Sequence, residues 1–222
     1  MIIEGAFLKI PEVLLNYDDR DGLYEANNAS LLANSIVLEF NARNIDNPLM
    51  KIQLEKRYKK KENIRCDLYA NFDFVSKDLE EYGYFKENWI EAKYFGSLER
   101  TEGSETKSEN AGSIMYDLYR LIKNTDKNVR KGLYLLVILS HDPRKYLAFN
   151  RKDKTKRDWL YGLLNCGTND IRFNLDEEPE CIKKMFNHEK DLQIKVKTRT
   201  LLFEPLKENQ DNFYGYLIQI LP

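Results

Sequence analysis

Apolar residues first recur at helical spacing between about Glu25 and Phe40. Ala29, Leu32, Ala33, Ile36 and Phe40 form the stripe, with Asn and Ser between them. Asn27 or Asn28 is the candidate cap. After Pro48 the period drops to two. MKIQLEKRY alternates as a strand does, KRYKKKEN is a charged turn, and IRCDLYANFDF alternates again. Within that last segment Ile64, Cys66, Leu68, Ala70 and Phe72 share one face. Arg65, Asp67, Tyr69, Asn71 and Asp73 share the other. A third strand, WIEAKYF, follows a polar stretch.

Gly96 to about Asn110 reads as a polar loop. A helix is predicted from Ala111 to Lys123, on the stripe Ile114, Met115, Leu118, Leu121 and Ile122. GLYLLVILS is a continuous apolar strand, the pattern of one buried on both faces, and His141-Asp142-Pro143 ends it. The charged run RKDKTKRD leads into a short amphipathic segment, WLYGLLNC, and PECIKKMFNHE reads as a short helix. DLQIKVKTRTLLFEP and FYGYLIQIL close the chain as a hairpin. The order predicts a mixed α/β fold with a central sheet, read as one domain over 1–222. Its core spans about 25–140, with a C-terminal elaboration over 141–222.

The chain has 222 residues, with 35 Lys and Arg against 36 Asp and Glu. A net charge of −1 excludes a protein that coats nucleic acid by bulk charge, yet leaves room for a local basic cleft. Three scattered cysteines, Cys66, Cys166 and Cys181, without a CxxC pair, argue against a cysteine-based zinc site and fit a reducing cytoplasm. Glu4, Lys9 and Glu12 interrupt the apolar N-terminus, so no signal peptide is read. No apolar run is long enough to cross a membrane. GxxxxGK[ST] and GxGxxG motifs are both lacking, which removes P-loop and Rossmann chemistry.

The sharpest chemical signal is Glu91-Ala92-Lys93 inside WIEAKYF. Glu91 and Lys93, two apart, share a strand face, while Ile90, Ala92 and Tyr94 take the other. An acid and a lysine on a largely apolar strand are costly to bury unless paired or metal-bound. Asp67 lies on the polar face of a neighbouring strand, and adjacent strands run about 4.8 Å apart. Asp67 and Glu91 are thus candidates to share one cation, with the Ala92 carbonyl as a further ligand and Lys93 beside it. Carboxylate and water oxygens suit Mg²⁺. Asp73 is a competing acid, read as a strand-end turn residue. Asp117 and Arg120, three apart on a helix, read as a surface pair.

Asp67 in IRCDLY followed by Glu91-x-Lys93 in WIEAKYF resembles the PD-(D/E)xK nuclease superfamily, whose members include type II restriction endonucleases. The likeness covers roughly Glu25 to Leu139. Cys66 stands where that motif carries proline. The resemblance implies a restriction-endonuclease-like fold and Mg²⁺-dependent hydrolysis of DNA phosphodiesters. It implies Asp67, Glu91 and Lys93 as catalytic residues and double-stranded DNA as substrate. It also implies a homodimer and an additional acid on the first helix, for which Glu25 is favoured over Glu39. The alternative is a non-catalytic nucleic-acid-binding or protein-interaction module that keeps the fold.

Basic segments supply the substrate side. Lys56, Arg57, Lys59, Lys60 and Lys61 form one cluster. Arg151, Lys152, Lys154, Lys156 and Arg157 form another, and Lys195, Lys197 and Arg199 alternate on one strand face. The loop after Lys93 adds Arg100, Lys107 and Asn110 as candidate DNA donors.

Overall fold

The computed structural model describes residues 2–15, 25–59, 63–75, 80, 84–95, 104–125, 131–140, 143, 157–208 and 211–221. The fold is mixed α/β with seven strands of a mixed sheet, in two compact units. The first unit comprises Met1–Tyr94 and Leu121–Leu136, the second Phe95–Arg120 and Val137–Pro222.

The first unit opens with helix α1 (Ile2–Leu15) and helix α2 (Glu25–Ala42), which pack on each other. Ile3, Phe7, Ile10 and Leu14 form the buried stripe of α1. The sequence pattern had not indicated α1, because Pro11 lies inside it and charges interrupt its apolar run. On α2 the predicted stripe is buried at Ala29, Leu32, Ile36 and Phe40. Strand β1 (Ile52–Arg57) pairs antiparallel with β2 (Arg65–Asn71), and β2 pairs antiparallel with β3 (Glu87–Phe95). Strand β4 (Gly132–Leu139) lies next to β3, giving the order β1-β2-β3-β4 with β1 at the edge. Cys66, Leu68, Ala70 and Phe72 are buried as their alternation predicts, and Phe72 meets Phe40 of α2 edge-on at 5.4 Å.

Glu39 of α2 is buried at the contact with α1. Its carboxylate takes Lys9 Nζ at 2.8 Å and Arg43 Nη2 at 2.6 Å. Burial alone raises its pKa, but the hydrogen bonds and charges of Lys9 and Arg43 outweigh burial and hold it below the usual 4.5. A carboxyl depressed in the folded state stabilises fully above its unfolded value. That contribution is lost as pH falls from about 4.5 through the lower folded value. Glu39→Gln is therefore expected to be less stable than wild type at pH 7, by about 1 kcal/mol. The gap should close as thermal melts move from pH 5 towards pH 3. A gap independent of pH would contradict this.

The second unit contains the N-terminal part of helix α3 (Ser104–Asn124) and the end of β4. It also contains α4 (Asp158–Leu163), β5 (Gly167–Asn174), α5 (Glu180–Met185), β6 (Gln193–Glu208) and β7 (Asp211–Leu221). Its strand order is β4-β7-β6-β5. Helix α3 starts seven residues before the predicted Ala111, so Ser104–Asn110 is helix rather than loop. Its first turns are polar, which hides them from an apolar-periodicity reading. Strand β5 was not anticipated either, because only Ile171 and Phe173 along it are buried. The terminal hairpin forms as expected. Its ladder slips by one residue between Phe203 and Leu206, where Pro205 has no N–H to donate.

Candidate active site

The predicted site residues Asp67, Glu91, Ala92 and Lys93 all lie in the first unit. The β2–β3 ladder runs from Asn71 opposite Glu87 to Leu68 opposite Ile90. At the next position Asp67 Oδ2 accepts the Ala92 N–H at 2.7 Å, so a side chain replaces the strand as partner. On the other side the β1–β2 ladder skips the Glu55–Asp67 position, where Glu55 holds φ 53°. Asp67 thus sits where pairing lapses on both flanks. The ladder keeps its one-for-one register on either side of this gap, from Leu54 opposite Leu68 to Lys56 opposite Cys66.

Ala92 and Ile90 are fully buried on one face of β3. Glu91, although on the opposite face, is also only 1 % exposed. Its Oε1 accepts the Tyr58 hydroxyl at 2.5 Å. The Tyr58 ring stacks on Trp89, with centroids 5.0 Å apart, and Tyr69 meets Trp89 edge-on at 4.9 Å. Lys56 Nζ lies over the Tyr69 ring at 3.1 Å and near Trp89 at 5.3 Å. Its backbone pairs with Cys66, whose side chain belongs to the apolar face. Lys56 follows Glu55, whose φ of 53° is left-handed within the strand. Burial lowers the Lys56 pKa, as does the charge of Lys131, against opposing contributions from Glu87 and Cys66. Burial, then the charges of Glu91 and Asp67, push the Cys66 thiol up to about 12. Cys66 is therefore held as a protonated thiol.

Helix α2 reaches the site through Asn28. Its Nδ2 donates to the Lys93 carbonyl at 3.0 Å. Asn28 is buried within the helix and is not its cap, and its Oδ1 is buried without a hydrogen bond. Glu25 is the first residue of α2, and position 25 shares a helix face with Asn28. Glu39, the other helix acid considered, is engaged by Lys9 and Arg43. Asp73 is exposed and pairs with Lys51 at 2.6 Å.

The remaining predicted residues lie elsewhere. Lys107 and Asn110 are half-buried on α3 rather than on a loop, and Arg100 lies outside the described residues. Lys195 and Lys197 are exposed on β6, opposite Arg172 and Asp170 of β5, while Arg199 donates to Gln219 at 2.8 Å. Arg157 is buried and bonded to Glu178 and Ser108, so it does not belong to a solvated run. Asp117, read as a surface acid, is buried and receives Arg120 at 3.1 Å. His141 and residues 151–156 lie outside the described residues.

Tyr58 and Asn28 were not read as site residues. Asn28 had a signal, since it falls in the spacing Asn28, Leu32, Ser35 and Glu39 of a buried face. Tyr58 had none, because its partner is 33 residues away. Comparison with family models, curated proteins and solved structures gave no match.

Among the described residues no group of three or more His, Cys, Asp or Glu gathers to hold a metal. The donors on offer are two carboxylates from adjacent strands, each with one oxygen already accepting a hydrogen bond. That set fits a hard cation which keeps several waters, and is poor for zinc. No helix among the described residues is long and apolar enough to cross a membrane.

Proposed function

We propose that this chain is a Mg²⁺-dependent endonuclease of the PD-(D/E)xK type that cleaves double-stranded DNA, as a type II restriction or other defence nuclease. The observation that carries the reading is the 2.7 Å bond from the Ala92 N–H to Asp67. It brings the acid of one strand against the Glu91-Ala92-Lys93 triplet of the next. Asp67 and Glu91, with the Ala92 carbonyl, would hold the cation. Mg²⁺ held there would polarise a phosphoryl oxygen and lower the pKa of a bound water. Tyr58 fixes the rotamer of Glu91 through its hydroxyl, and the stack on Trp89 fixes Tyr58 in turn. Asn28 fixes the backbone at Lys93. The Lys93 ammonium orients the attacking water and counters the charge that builds on the phosphoryl oxygens. Glu25 is the candidate fourth ligand group. A homodimer in the cytoplasm, with one site per strand, is part of the same reading.

The test is incubation of the protein with plasmid and phage DNA. Cleavage is expected in Mg²⁺ and none in EDTA. Cutting that persists in EDTA overturns the metal mechanism. Failure to cut any DNA or RNA, with binding retained, favours a non-catalytic binding module.

A further inference from the structure

Strands β5 and β6 pair residue for residue, from Gly167 opposite Thr200 to Asn174 opposite Gln193. One face of the pair carries Ile171, Phe173, Ile194, Thr198 and Thr200, all buried. The helices of this unit cover that face. Thr200 Oγ1 donates to the Leu163 carbonyl of α4 at 2.8 Å, and Phe186, which follows α5, sets its ring 5.6 Å from Phe173. The other face carries Lys195 and Lys197, both exposed. Arg199 continues their row and is held by Gln219 Oε1 of β7 at 2.8 Å. Successive members stand about 7 Å apart along the strand.

Arg172 is exposed and stands directly opposite Lys195. Like charges so placed destabilise a strand pair, and an acid at either position would do the reverse. Among the described residues neither Arg172 nor Lys195 enters an ion pair. Asp170 stands opposite Lys197 and offsets that charge in part. A phosphate between Arg172 and Lys195 would turn their repulsion into a two-sided grip. A polyanion whose charges repeat along a line meets Lys195, Lys197 and Arg199 together, which a single small anion cannot. Strand β6 is paired on both edges, by β5 and β7. An extended acidic peptide laid on the row therefore gains no backbone ladder from it. A nucleic-acid backbone needs none, because phosphate charge carries its binding.

We infer that the exposed face of β5 and β6 is a phosphate-backbone contact surface of the second unit. On it Arg172, Lys195, Lys197 and Arg199 hold nucleic acid irrespective of base sequence. The inference takes nucleic acid as the polyanion from the nuclease reading, but binding here is separable from cutting.

The experiment is fluorescence anisotropy with a labelled double-stranded oligonucleotide in EDTA, titrated with NaCl. Lys195→Ala/Lys197→Ala is expected to weaken binding roughly tenfold or more at low salt. It should also flatten the slope of log affinity against log salt by about 2. Lys195→Arg/Lys197→Arg keeps both. Lys183→Ala/Lys184→Ala, which removes the same charge from α5, also keeps both. Arg172→Glu is expected to weaken binding while raising the melting temperature by about 1–2 °C, since it replaces a like-charge pair by an opposite one. Wild-type binding in Lys195→Ala/Lys197→Ala or in Arg172→Glu overturns the inference, as does an equal loss in the α5 control. Displacement of the oligonucleotide by polyglutamate as effectively as by unlabelled DNA also overturns it, in favour of an acidic protein partner. Wild-type protein that binds with this salt slope but never cuts in Mg²⁺ removes the nuclease reading and leaves the surface standing. Protein that cuts, while Lys195→Ala/Lys197→Ala binds as wild type does, removes the surface and leaves the nuclease reading.

Discussion

Lys93→Ala is expected, on the proposed nuclease reading, to lower Mg²⁺-dependent DNA cleavage by about 10²–10³-fold, the usual cost of removing one preorganised electrostatic contact to a transition state. Lys93 is half-buried near the end of β3, whereas the strand is packed through buried residues that include Trp89, Ile90 and Ala92. The variant should therefore melt within a few degrees of wild type and bind DNA unchanged in EDTA. Glu91→Gln is expected to be equally inactive for a different reason. It keeps an acceptor for Tyr58 but removes the charge that would attract the proposed cation. The two are told apart by raising Mg²⁺, which should partly restore Glu91→Gln and leave Lys93→Ala unchanged. Full activity in Lys93→Ala would remove the lysine from the chemistry. Loss of DNA binding together with activity would show a folding defect instead.

The second large effect is on stability. Gly215 of β7 faces Phe203 of β6 across the ladder, and Phe203 is 4 % exposed. A Cβ at Gly215 would stand 1.9 Å from Phe203 Cε1 and 2.1 Å from its Cζ. The ring lies over the glycine, covering backbone that any side chain would displace. Gly215→Ala is expected to cost about 1–3 kcal/mol by overpacking, lowering the melting temperature by roughly 3–10 °C. Phe203→Ala alone should cost about 3–5 kcal/mol. The double variant should be no worse than Phe203→Ala alone, since the clash has gone. Additive losses, or a Gly215→Ala variant as stable as wild type, would show that the ring does not depend on the glycine.

Much of the scaffold was readable from period alone. Residues 65–72 alternate so regularly that Cys66, Leu68, Ala70 and Phe72 could be assigned to the core and Asp67 to the other face. The α2 stripe was equally plain. What escaped were elements whose stability is tertiary. Helix α1 is held by α2 despite Pro11, the first two turns of α3 are polar, and β5 buries only Ile171 and Phe173. The site divides in the same way. Asp67, Glu91 and Lys93 are marked by their types and spacing on strands. Tyr58, Asn28 and the placement of Lys56 over Tyr69 depend on long-range contacts, which no local pattern encodes.

The turn at Glu55 has a consequence for how molecules of this protein behave in concentrated solution. Strand β1 ends the order in its unit, and it shows an exposed Leu54 just after the exposed Leu49 and Met50. A straight edge with those side chains would template the addition of another copy, backbone to backbone. A left-handed residue in mid-strand, followed by Lys56 and Arg57, breaks the row of donors and acceptors that such growth requires. The single left-handed residue next to the lysine that caps the Tyr69 ring also keeps the border of the sheet from seeding aggregates.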